Sequence, residues 1–253
     1  MDKPRVSIVM PAYNCIRYIS WAVESVLEQS CPDWELIIVD DCSQDGSRER
    51  IETFSALDSR IRAFRNERNQ GVGRSRNRGV ELAKGEWIAF LDSDDVWTAD
   101  KLEKQLSLLS REPGARLLYT GSAFMTESGE PLDYVLHVPE KIDRRRLLRQ
   151  NLLSCSSAMV WRELMLRHPF PDRADMHEDF AVWLQILSEE AYAYGVDEPL
   201  LIYRLSAQSK SGNKLKAAVM NWNTYRAAGL GLPGSLYNMC WYAVNGLRKY
   251  RKL

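Results

Sequence analysis

The stretch WELIIVDDCSQDGS, residues 34–47, decides the fold class of this chain. Its apolar run ends at Asp40 and has the length of a strand that is buried on both faces, as strands are in a parallel sheet. The polar residues that follow, up to Ser47, are rich in side chains that cap helix N-termini. The stretch therefore predicts a buried strand, a short loop and the start of a helix.

The same alternation continues on both sides of this stretch. Strand-length apolar runs occur at VSIVM (6–10), IRAF (61–64) and WIAFLD (87–92). Apolar residues at helical spacing follow the first run over residues 16–27, and a Gly-rich loop at 69–73 precedes a further helix. Strands that alternate with helices in this way predict a mostly parallel sheet covered on both faces. We therefore expect a Rossmann-like α/β architecture.

The second half of the chain has a less regular pattern. Its predicted elements are strands at RLLYTG (116–121), SAMVW (157–161) and AYAYGV (191–196), and helices at 179–188, 215–228 and 236–250. A Gly- and Pro-rich break at 229–234 separates the last two helices. We expect this half to complete the sheet with a short final strand and to add a helical extension.

Length and composition are those of an ordinary globular protein. The chain has 253 residues, 34 Lys and Arg against 34 Asp and Glu, and 45% hydrophobic residues, which excludes a disordered tail protein, a collagen-like chain and a small disulfide scaffold. No apolar run is long enough to span a bilayer, and the N-terminus lacks the basic region and cleavage site of a signal peptide. Five scattered cysteines without a CxxC pair favour a reduced, cytoplasmic protein.

The neutral net charge hides an uneven distribution. Residues 201–253 contain nine Lys and Arg and no Asp or Glu, and subtracting these nine leaves 25 basic against 34 acidic residues in the rest of the chain. The basic segment also contains Trp222, Trp241 and five tyrosines, a composition typical of helices at an anionic membrane surface. One hypothesis is therefore peripheral attachment to the inner face of the cell membrane. The alternative is a helical pair that packs on the core with a solvated basic edge.

No motif for nucleic-acid binding occurs, so nucleic acid is not an expected partner.

Polar clusters follow three of the predicted parallel strands, at the point where each strand ends. They are Pro11-Ala12-Tyr13-Asn14, Asp40-Asp41 and Asp92-Ser93-Asp94-Asp95. Ligands of open parallel sheets bind at this edge. Carboxylates from two strand ends suit a hard divalent cation, Mg²⁺ or Mn²⁺, which also takes substrate phosphate oxygens. The GxGxxG and GxxxxGK[ST] motifs are absent after the first strand, which argues against a nicotinamide oxidoreductase or a P-loop kinase.

Six spaced motifs resemble those of one enzyme family. They are VSIVMPAYN (6–14), SVLEQS (25–30), WELIIVDDCSQDGS (34–47), NQGVGRSRNRG (69–79), GEWIAFLDSDDVW (85–97) and HEDFAVWLQI (177–186). In this order they resemble family 2 glycosyltransferases of the GT-A fold, in particular bacterial enzymes that build lipopolysaccharide and other surface polysaccharides. The resemblance implies a Rossmann-like α/β GT-A fold with a mostly parallel central sheet and a C-terminal helical extension.

The resemblance also implies a division of the chain. Residues 1–205 correspond to a GT-A catalytic domain, with a nucleotide-sugar-binding half at 1–97 and an acceptor half at 98–205. Residues 206–253 form the basic, aromatic-rich helical extension. Acceptor specificity is expected in 121–177 and in the extension, where the family motifs are sparse.

The resemblance assigns the nucleoside site to four positions. Pro11, Ala12 and Tyr13 correspond to the wall of the nucleoside pocket, with the aromatic ring beside the base. Asp41 corresponds to a residue that hydrogen-bonds uracil, so the expected donor is a UDP-sugar, with dTDP as the alternative nucleotide. A helix-capping role is the structural alternative for Asp41.

The phosphates and the metal are assigned to the next two motifs. Arg76 corresponds to the arginine of the family's ARN motif, and its forked guanidinium suits a phosphate or a carboxylate. A solvated basic helix face is the alternative interpretation of Arg76. Asp94 corresponds to the direct ligand of Mn²⁺ or Mg²⁺ and Asp92 to a ribose or metal contact, and Ser93 between them belongs to the nucleotide-sugar site.

The cluster His177-Glu178-Asp179 corresponds to the family's acidic catalytic motif. Asp179 corresponds to the general base, with a helix cap as the structural alternative, and Glu178 to a residue that orients the acceptor or the base. The implied reaction is inverting transfer of a sugar by single displacement. The acceptor would be a hydroxyl of a glycan or of a lipid-linked glycan.

One position departs from the family pattern, and two other functions stay open. Many relatives have a histidine in a YRxH sequence that helps to bind metal or phosphate, and here Ser206 stands in that place. Arg204 and Lys210 are then candidates to neutralise phosphate.

A degenerate transferase that acts as a glycan-binding or assembly subunit is one alternative function. A sugar-nucleotide pyrophosphorylase is another, although its Gly-rich, basic loop is not found after the first strand.

Overall fold

The computed structural model describes residues 3–206 and 214–250. The strands in these ranges are β1 (Val6–Ala12), β2 (Trp34–Asp40), β3 (Ile61–Arg65), β4 (Trp87–Phe90), β5 (Val96–Trp97), β6 (Leu117–Met125), β7 (Pro131–Leu136), β8 (Lys141–Ile142), β9 (Met159–Trp161) and β10 (Ala193–Arg204). The helices are α1 (Ile19–Leu27), α2 (Ser47–Leu57), α3 (Val72–Leu82), α4 (Lys101–Arg111), α5 (Arg144–Arg149), α6 (Arg162–Arg167), α7 (Glu178–Glu189), α8 (Lys214–Ala227) and α9 (Leu232–Tyr250), with a 3₁₀ turn at Cys155–Ser157. Lys210 and the last three residues of the basic C-terminus lie outside the described residues.

One ten-stranded sheet organises these elements. Its order is β3-β2-β1-β4-β9-β6-β10-β5, with β7 added beside β6 and β8 beside β10. The pairs β1–β2, β1–β4, β2–β3 and β6–β10 are parallel and contain most of the paired residues. The short strand β9 is antiparallel to both of its neighbours, β4 and β6. The predicted α/β fold with a mostly parallel sheet is confirmed, and β9 joins its two parallel halves.

Helices cover both faces of the sheet, because successive strand residues point to opposite sides. On one side, Val9 of β1 packs in a core with Val80 of α3 and Trp183 of α7. On the other side, Ile8 of β1 packs in a second core with Val23 of α1. This two-sided burial explains why the apolar runs of β1, β2 and β4 are continuous instead of alternating.

Two elements differ from the sequence-based expectation. β10 extends over twelve residues, past Pro199, instead of ending as a short strand near residue 196. The strand accommodates Pro199 because its register against β6 shifts on both sides of that residue, where a proline has no N–H to contribute. α9 begins at Leu232 and not near 236, because Pro233 lies in the first turn, where an N–H has no partner within the helix.

Several short elements gave no sequence signal that we recognised. These are β5, β7 and β8 among the strands and α5 and α6 among the helices. Each strand of this group pairs with β6 or β10, so tertiary contacts and not local periodicity determine its conformation. None of the helices in the described ranges combines the length and apolar character that crossing a membrane requires.

A glycine sets the distance between α3 and β1. A Cβ atom placed on Gly79 would lie 2.4 Å from Cγ1 of Val9, a buried side chain with little rotational freedom. Helix α3 can therefore lie this close to the strand only because residue 79 has no side chain. The close packing fixes the helix that carries Arg76.

We expect Gly79→Ala to destabilise the protein. Alanine at an open helical position stabilises by roughly 0.5–1 kcal/mol relative to glycine, but here the added methyl group collides with Val9, and overpacking of this kind costs about 1–3 kcal/mol. Denaturant unfolding followed by circular dichroism measures the difference. Gly114→Ala is the matched control, since Gly114 is exposed and a methyl group added there would meet no atom within 4 Å. Equal stability of the two variants would contradict the packing argument.

Candidate active site

A cleft of about 500 Å³ opens at the carboxyl ends of the parallel strands β1, β2 and β4. This volume is in the range of small-molecule and cofactor sites. Eight of the predicted site residues line the cleft: Pro11, Ala12, Tyr13, Asp41, Asp92, Ser93, Asp94 and Glu178. The opposite wall comes from residues 69–75 and 171–174. The topology thus brings together side chains that are widely separated in the sequence.

Asp41 holds one wall of the cleft in place. Its carboxylate accepts hydrogen bonds from the backbone N–H groups of Gln70 (2.9 Å) and Gly71 (2.8 Å) and from the side-chain amide of Asn66 (2.7 Å). These contacts fix the loop that leads into α3. Asp41 therefore has a structural role beside its position in the cleft, and the contact with a uracil base stays a prediction.

Arg76 lies beneath the cleft and does not line it. One guanidinium nitrogen donates to Oδ1 of Asp92 at 2.6 Å and the other terminal nitrogen donates to Oε1 of Glu178 at 3.1 Å. The side chain is buried, and its guanidinium also lies over the ring of Phe170 at 5.3 Å. The fork therefore connects the loop after β4 to the first turn of α7. Its predicted contact with a phosphate stays a prediction.

The other two cations of the GRSRNRG motif face away from the carboxylates of the site. Arg74 forms an exposed ion pair with Asp172 at the rim of the cleft. Arg78 donates to the carbonyl of Arg65 and to the side chain of Asn66. Of the three arginines, only the middle one contacts Asp92 and Glu178.

The loop after β4 carries three aspartates in different surroundings. Asp92 faces Arg76, whereas burial and the nearby charge of Asp92 raise the pKa of Asp94 to about 6. Asp95 is fully buried, and burial together with the charges of Asp94 and Asp92 raises its pKa as well. A cation in the cleft would offset the unfavourable charge on Asp94. Asp94 is therefore the aspartate of this loop at the cleft wall whose ionised form a bound cation would stabilise most.

Arg204 supports this loop from the end of β10. Its Nε donates to the carbonyl of Asp94 at 2.8 Å, and its backbone N–H donates to Oδ1 of Asp95 at 3.0 Å. The guanidinium is packed against the rings of Tyr18 (4.8 Å) and Trp21 (4.5 Å). The sequence suggests Arg204 only as a phosphate ligand, but its observed contacts hold the aspartate loop. Arg204 packs against Trp21 of α1 and against Tyr18, the N-cap residue of that helix. No pattern in the sequence predicts these two contacts.

The predicted catalytic pair begins α7. Glu178 lines the cleft and contacts Arg76, whereas Asp179 is half-buried beside it and is absent from the cleft wall. Oδ1 of Asp179 accepts the N–H of Phe180 at 2.7 Å. Burial and the neighbouring charge of Glu178 raise the pKa of Asp179. A carboxylate with a raised pKa is a better proton acceptor than an ordinary one.

Helix α8 braces the segment before this pair. Oγ1 of Thr224 accepts the backbone N–H of His177 at 3.1 Å, and the side-chain amide of Asn223 donates to the carbonyl of Asp175 at 2.8 Å. Tyr225 of the same helix is buried in the core. Sequence reasoning missed Thr224 and Asn223, since their contacts reach back 47 and 48 residues. The helical extension thus contributes directly to the position of the segment that precedes Glu178 and Asp179.

The cleft suits a metal ion that shares its coordination with substrate. In residues 3–206 and 214–250, no group of three or more His, Cys, Asp or Glu side chains is arranged to hold a metal by itself. Mg²⁺ and similar ions are usually bound by one or two carboxylates, with water and phosphate oxygens completing the shell. Asp94 and Asp92 supply that number of carboxylates at the cleft wall. The donor set therefore fits a divalent cation bound together with a diphosphate.

Comparison with known proteins decides the family. The family model for glycosyl transferase family 2 matches residues 7–166, which contain the strands and loops of the cleft up to residue 166. The chain is a family 2 glycosyltransferase. This confirms the resemblance that the six motifs indicated.

Two named relatives of this glycosyltransferase cover nearly its whole length. The putative teichuronic acid biosynthesis glycosyltransferase TuaG of Bacillus subtilis is 42% identical over 88% of this chain and 88% of its own. The UDP-Glc:alpha-D-GlcNAc-diphosphoundecaprenol beta-1,3-glucosyltransferase WfgD of Escherichia coli is 34% identical over 99% of this chain and 96% of its own.

Solved structures share the GT-A fold of this glycosyltransferase. S. aureus TarS 1–349 in complex with UDP-GlcNAc superimposes with a TM-score of 0.74 at 18% identity, over 88% of this chain and 65% of that one. The mannosyltransferase PcManGT of Pyrobaculum calidifontis, in complex with GDP-Man and Mn²⁺, superimposes with a TM-score of 0.70 at 17% identity, over 95% and 69%. This chain therefore spans about two thirds of each of these structures.

We expect Arg76→Gln to lower the free energy of unfolding by about 3–5 kcal/mol, because it leaves Asp92 and Glu178 buried or half-buried without their cation. Arg76→Lys keeps the charge but loses the fork that reaches both carboxylates, so a smaller loss is expected. Denaturant unfolding measures both. Arg74→Gln, two residues away in the same helix, removes an exposed ion pair and is the control, and it should leave stability nearly unchanged. Similar losses at positions 74 and 76 would be inconsistent with the bridging role.

Proposed function

We propose that this family 2 glycosyltransferase transfers a sugar from a nucleotide-sugar donor to a hydroxyl of a glycan or lipid-linked glycan, with inversion at the anomeric carbon. The observation that carries the proposal is the cleft in which Asp41, Asp94 and Glu178, from three separate segments, face one volume. The named relatives support a role in cell-surface polysaccharide biosynthesis, since one is a teichuronic acid enzyme and another acts on a diphosphoundecaprenol-linked sugar.

The donor site in this proposal follows the cleft wall. Pro11, Ala12 and Tyr13 would contact the nucleoside, and the exposed ring of Tyr13 is available to stack on a base. Asp41 would accept the imide N–H of uracil, which favours UDP over other nucleotides. Names of relatives and fold neighbours include UDP-sugars but also GDP-Man, so a donor test should contain both.

The phosphate side of the donor site is formed by the loop after β4. Asp94, with Asp92, would hold Mn²⁺ or Mg²⁺, and Ser93 between them lines the same wall. Such an ion supplies Lewis-acid stabilisation of charge that develops on a leaving diphosphate. Arg76 keeps Asp92 oriented from below, and Arg204 fixes the backbone of Asp94. The chain thus holds the loop rigidly before any ligand binds, which reduces the cost of orienting the donor.

Asp179 is the proposed general base. Its raised pKa suits proton abstraction, whereas the carboxylate of Glu178 is engaged in the ion pair with Arg76. Asp179 takes the proton of the acceptor hydroxyl, and the oxygen forms a bond to the anomeric carbon on the face opposite the nucleotide. The bond from that carbon to the diphosphate oxygen breaks, and the electron pair leaves with the nucleoside diphosphate. Glu178 positions the acceptor and its partner carboxylate.

We expect Asp179→Asn to lower transfer by about 10²–10⁴-fold, the usual range for a general base, without a comparable change in donor affinity. Glu178→Gln should have a smaller effect on turnover, because it removes positioning and leaves the base. The measurement is release of nucleoside diphosphate from UDP-hexoses and GDP-mannose, with Mn²⁺, and with lipid-linked and soluble glycan acceptors. A larger loss in Glu178→Gln than in Asp179→Asn would reverse the two assignments.

Asp94→Asn tests the metal-dependent part of the same site. Donor turnover should become insensitive to added Mn²⁺ and should fall to the level of the wild type in EDTA, since the variant lacks the proposed ligand. Asp172→Asn, an exposed acid at the cleft rim that pairs with Arg74, is the control and should keep Mn²⁺-dependent turnover. If the folded wild type neither binds nor turns over any nucleotide-sugar, the transferase proposal fails and a glycan-binding role takes its place.

A further inference from the structure

Helix α9 keeps two polar side chains on its protein side and exposes several apolar ones on its outward side, although Met239 also packs on the core. Ser235 and Asn238 are buried against the protein, whereas Leu232 and Leu236 are each 59% exposed. The amide of Asn238 is satisfied by the carbonyl of Gly234. A helix on the surface of a soluble protein normally keeps its apolar residues on the side that faces the protein. The two exposed leucines therefore indicate that the outward side of α9 has an apolar neighbour in its working state.

The exposed side chains of α9 form one continuous stripe. Leu232, Leu236, Cys240 and Val244 follow each other at intervals of four residues, so they lie on the same side of the helix, and all four are exposed. We call this set the α9 outer face. No Asp, Glu, Lys or Arg occurs between residues 227 and 247. A solvated helix face of this length without a single charge is unusual, and its composition fits an interface.

Cations flank the α9 outer face. Arg149 of α5 extends over the ring of Trp241 at 5.3 Å and donates to the hydroxyl of Tyr237 at 3.1 Å. Arg145, one turn earlier on the same helix, is exposed, and its charge also acts on Tyr237. Tyr237 is itself half-exposed beside the stripe. The combination is an apolar helix face with aromatic and arginine side chains at its edge, which is the composition of helices that lie in a lipid interface.

We propose that the α9 outer face docks on an anionic lipid surface. Leu232, Leu236 and Val244 enter the boundary between headgroups and acyl chains, and the arginines of α5 contact the headgroup phosphates. A second copy of the chain fits this face less well, because a two-fold contact would bring the flanking arginines of both copies into one interface. The helix lies along the lipid surface and keeps its polar side, with Ser235 and Asn238, against the protein.

Helix α8 also exposes apolar side chains, and it contacts the segment that precedes Glu178. Leu215 and Val219 are 83% and 60% exposed, and they lie on the same helical stripe as Asn223, again at intervals of four residues. Asn223 contacts Asp175, three residues before Glu178. The extension therefore presents apolar side chains along the helix that braces the catalytic segment. If the acceptor is lipid-linked, which is part of the proposed function, this arrangement places the cleft beside the surface that supplies it.

Vesicle co-sedimentation of the full chain tests the proposal. The probe vesicles contain phosphatidylcholine, with or without phosphatidylglycerol, and no donor or acceptor. The wild type should bind the mixed vesicles more tightly than the neutral ones. The double variant Leu232→Glu/Leu236→Glu should bind the mixed vesicles at least about tenfold more weakly, since it loses two apolar contacts and adds repulsion. Leu57→Glu is the matched control, because Leu57 is 78% exposed on α2, and it should bind as the wild type does.

A second pair of variants tests the charge contribution. Arg145→Glu should weaken binding to the mixed vesicles, whereas Arg50→Glu, at an exposed position of α2, should not. Thermal unfolding of every variant confirms that it is folded, and sedimentation velocity without lipid reports its oligomeric state. The proposal is overturned if the wild type does not bind mixed vesicles, or if Leu232→Glu/Leu236→Glu binds them as well as Leu57→Glu does. It is also overturned if the wild type is a dimer without lipid and Leu232→Glu/Leu236→Glu is a monomer. Donor hydrolysis in lipid-free solution is measured in parallel, so loss of vesicle binding with intact hydrolysis separates the docking surface from the transferase site.

Discussion

The forked contact of Arg76 with Asp92 and Glu178 is the interaction on which the arrangement of the site depends. The two carboxylates belong to segments 86 residues apart, and without a cation between them they would repel each other in a poorly hydrated place. A guanidinium meets both at once because its donors are fixed in one plane. The close packing of Gly79 on Val9 of β1 fixes the position of α3, the helix that carries Arg76. The close approach of α3 to β1 and the charge of Arg76 therefore both determine where Asp92 and Glu178 lie.

The sheet supplies the rest of the arrangement. Parallel strands end at a common edge, so the sheet itself brings the loops after β1, β2 and β4 together, and hydrogen bonds such as that from the N–H of Asn14 to Ser43 join them. The antiparallel strand β9 pairs with β4 on one side and with β6 on the other, and β6 pairs with β10. Arg204, at the end of β10, therefore lies next to the loop after β4. Arg76 thus contacts the loop after β4 from one side, and Arg204 contacts it from the other. Such preorganisation is what electrostatic catalysis requires.

Local patterns in the sequence are sufficient to predict the first half of the fold. Strands such as Trp34–Asp40 are recognised as continuous apolar runs, and the acidic loops directly follow those runs. The partners of those acids are harder to predict. The sequence context of Arg76 shows only its type and its helix, which suggests a phosphate ligand, while its contact with Glu178 depends on how α3 and α7 pack. Thr224 gives no signal at all, since its role exists only in the folded chain.

The bond between Thr224 and the segment before α7 has a consequence for the synthesis of the protein. Elongation proceeds from the N-terminus, so β1, β2 and β4, whose loops line the cleft, emerge from the ribosome long before α8. Until Thr224 and Asn223 arrive, the stretch from Asp175 to His177 lacks two of its hydrogen-bond partners. While those partners are missing, the strands that line one side of the cleft are already outside the ribosome, and the segment before Glu178 and Asp179 is still unbraced. The two sides of the cleft therefore complete their supporting contacts at different times during synthesis.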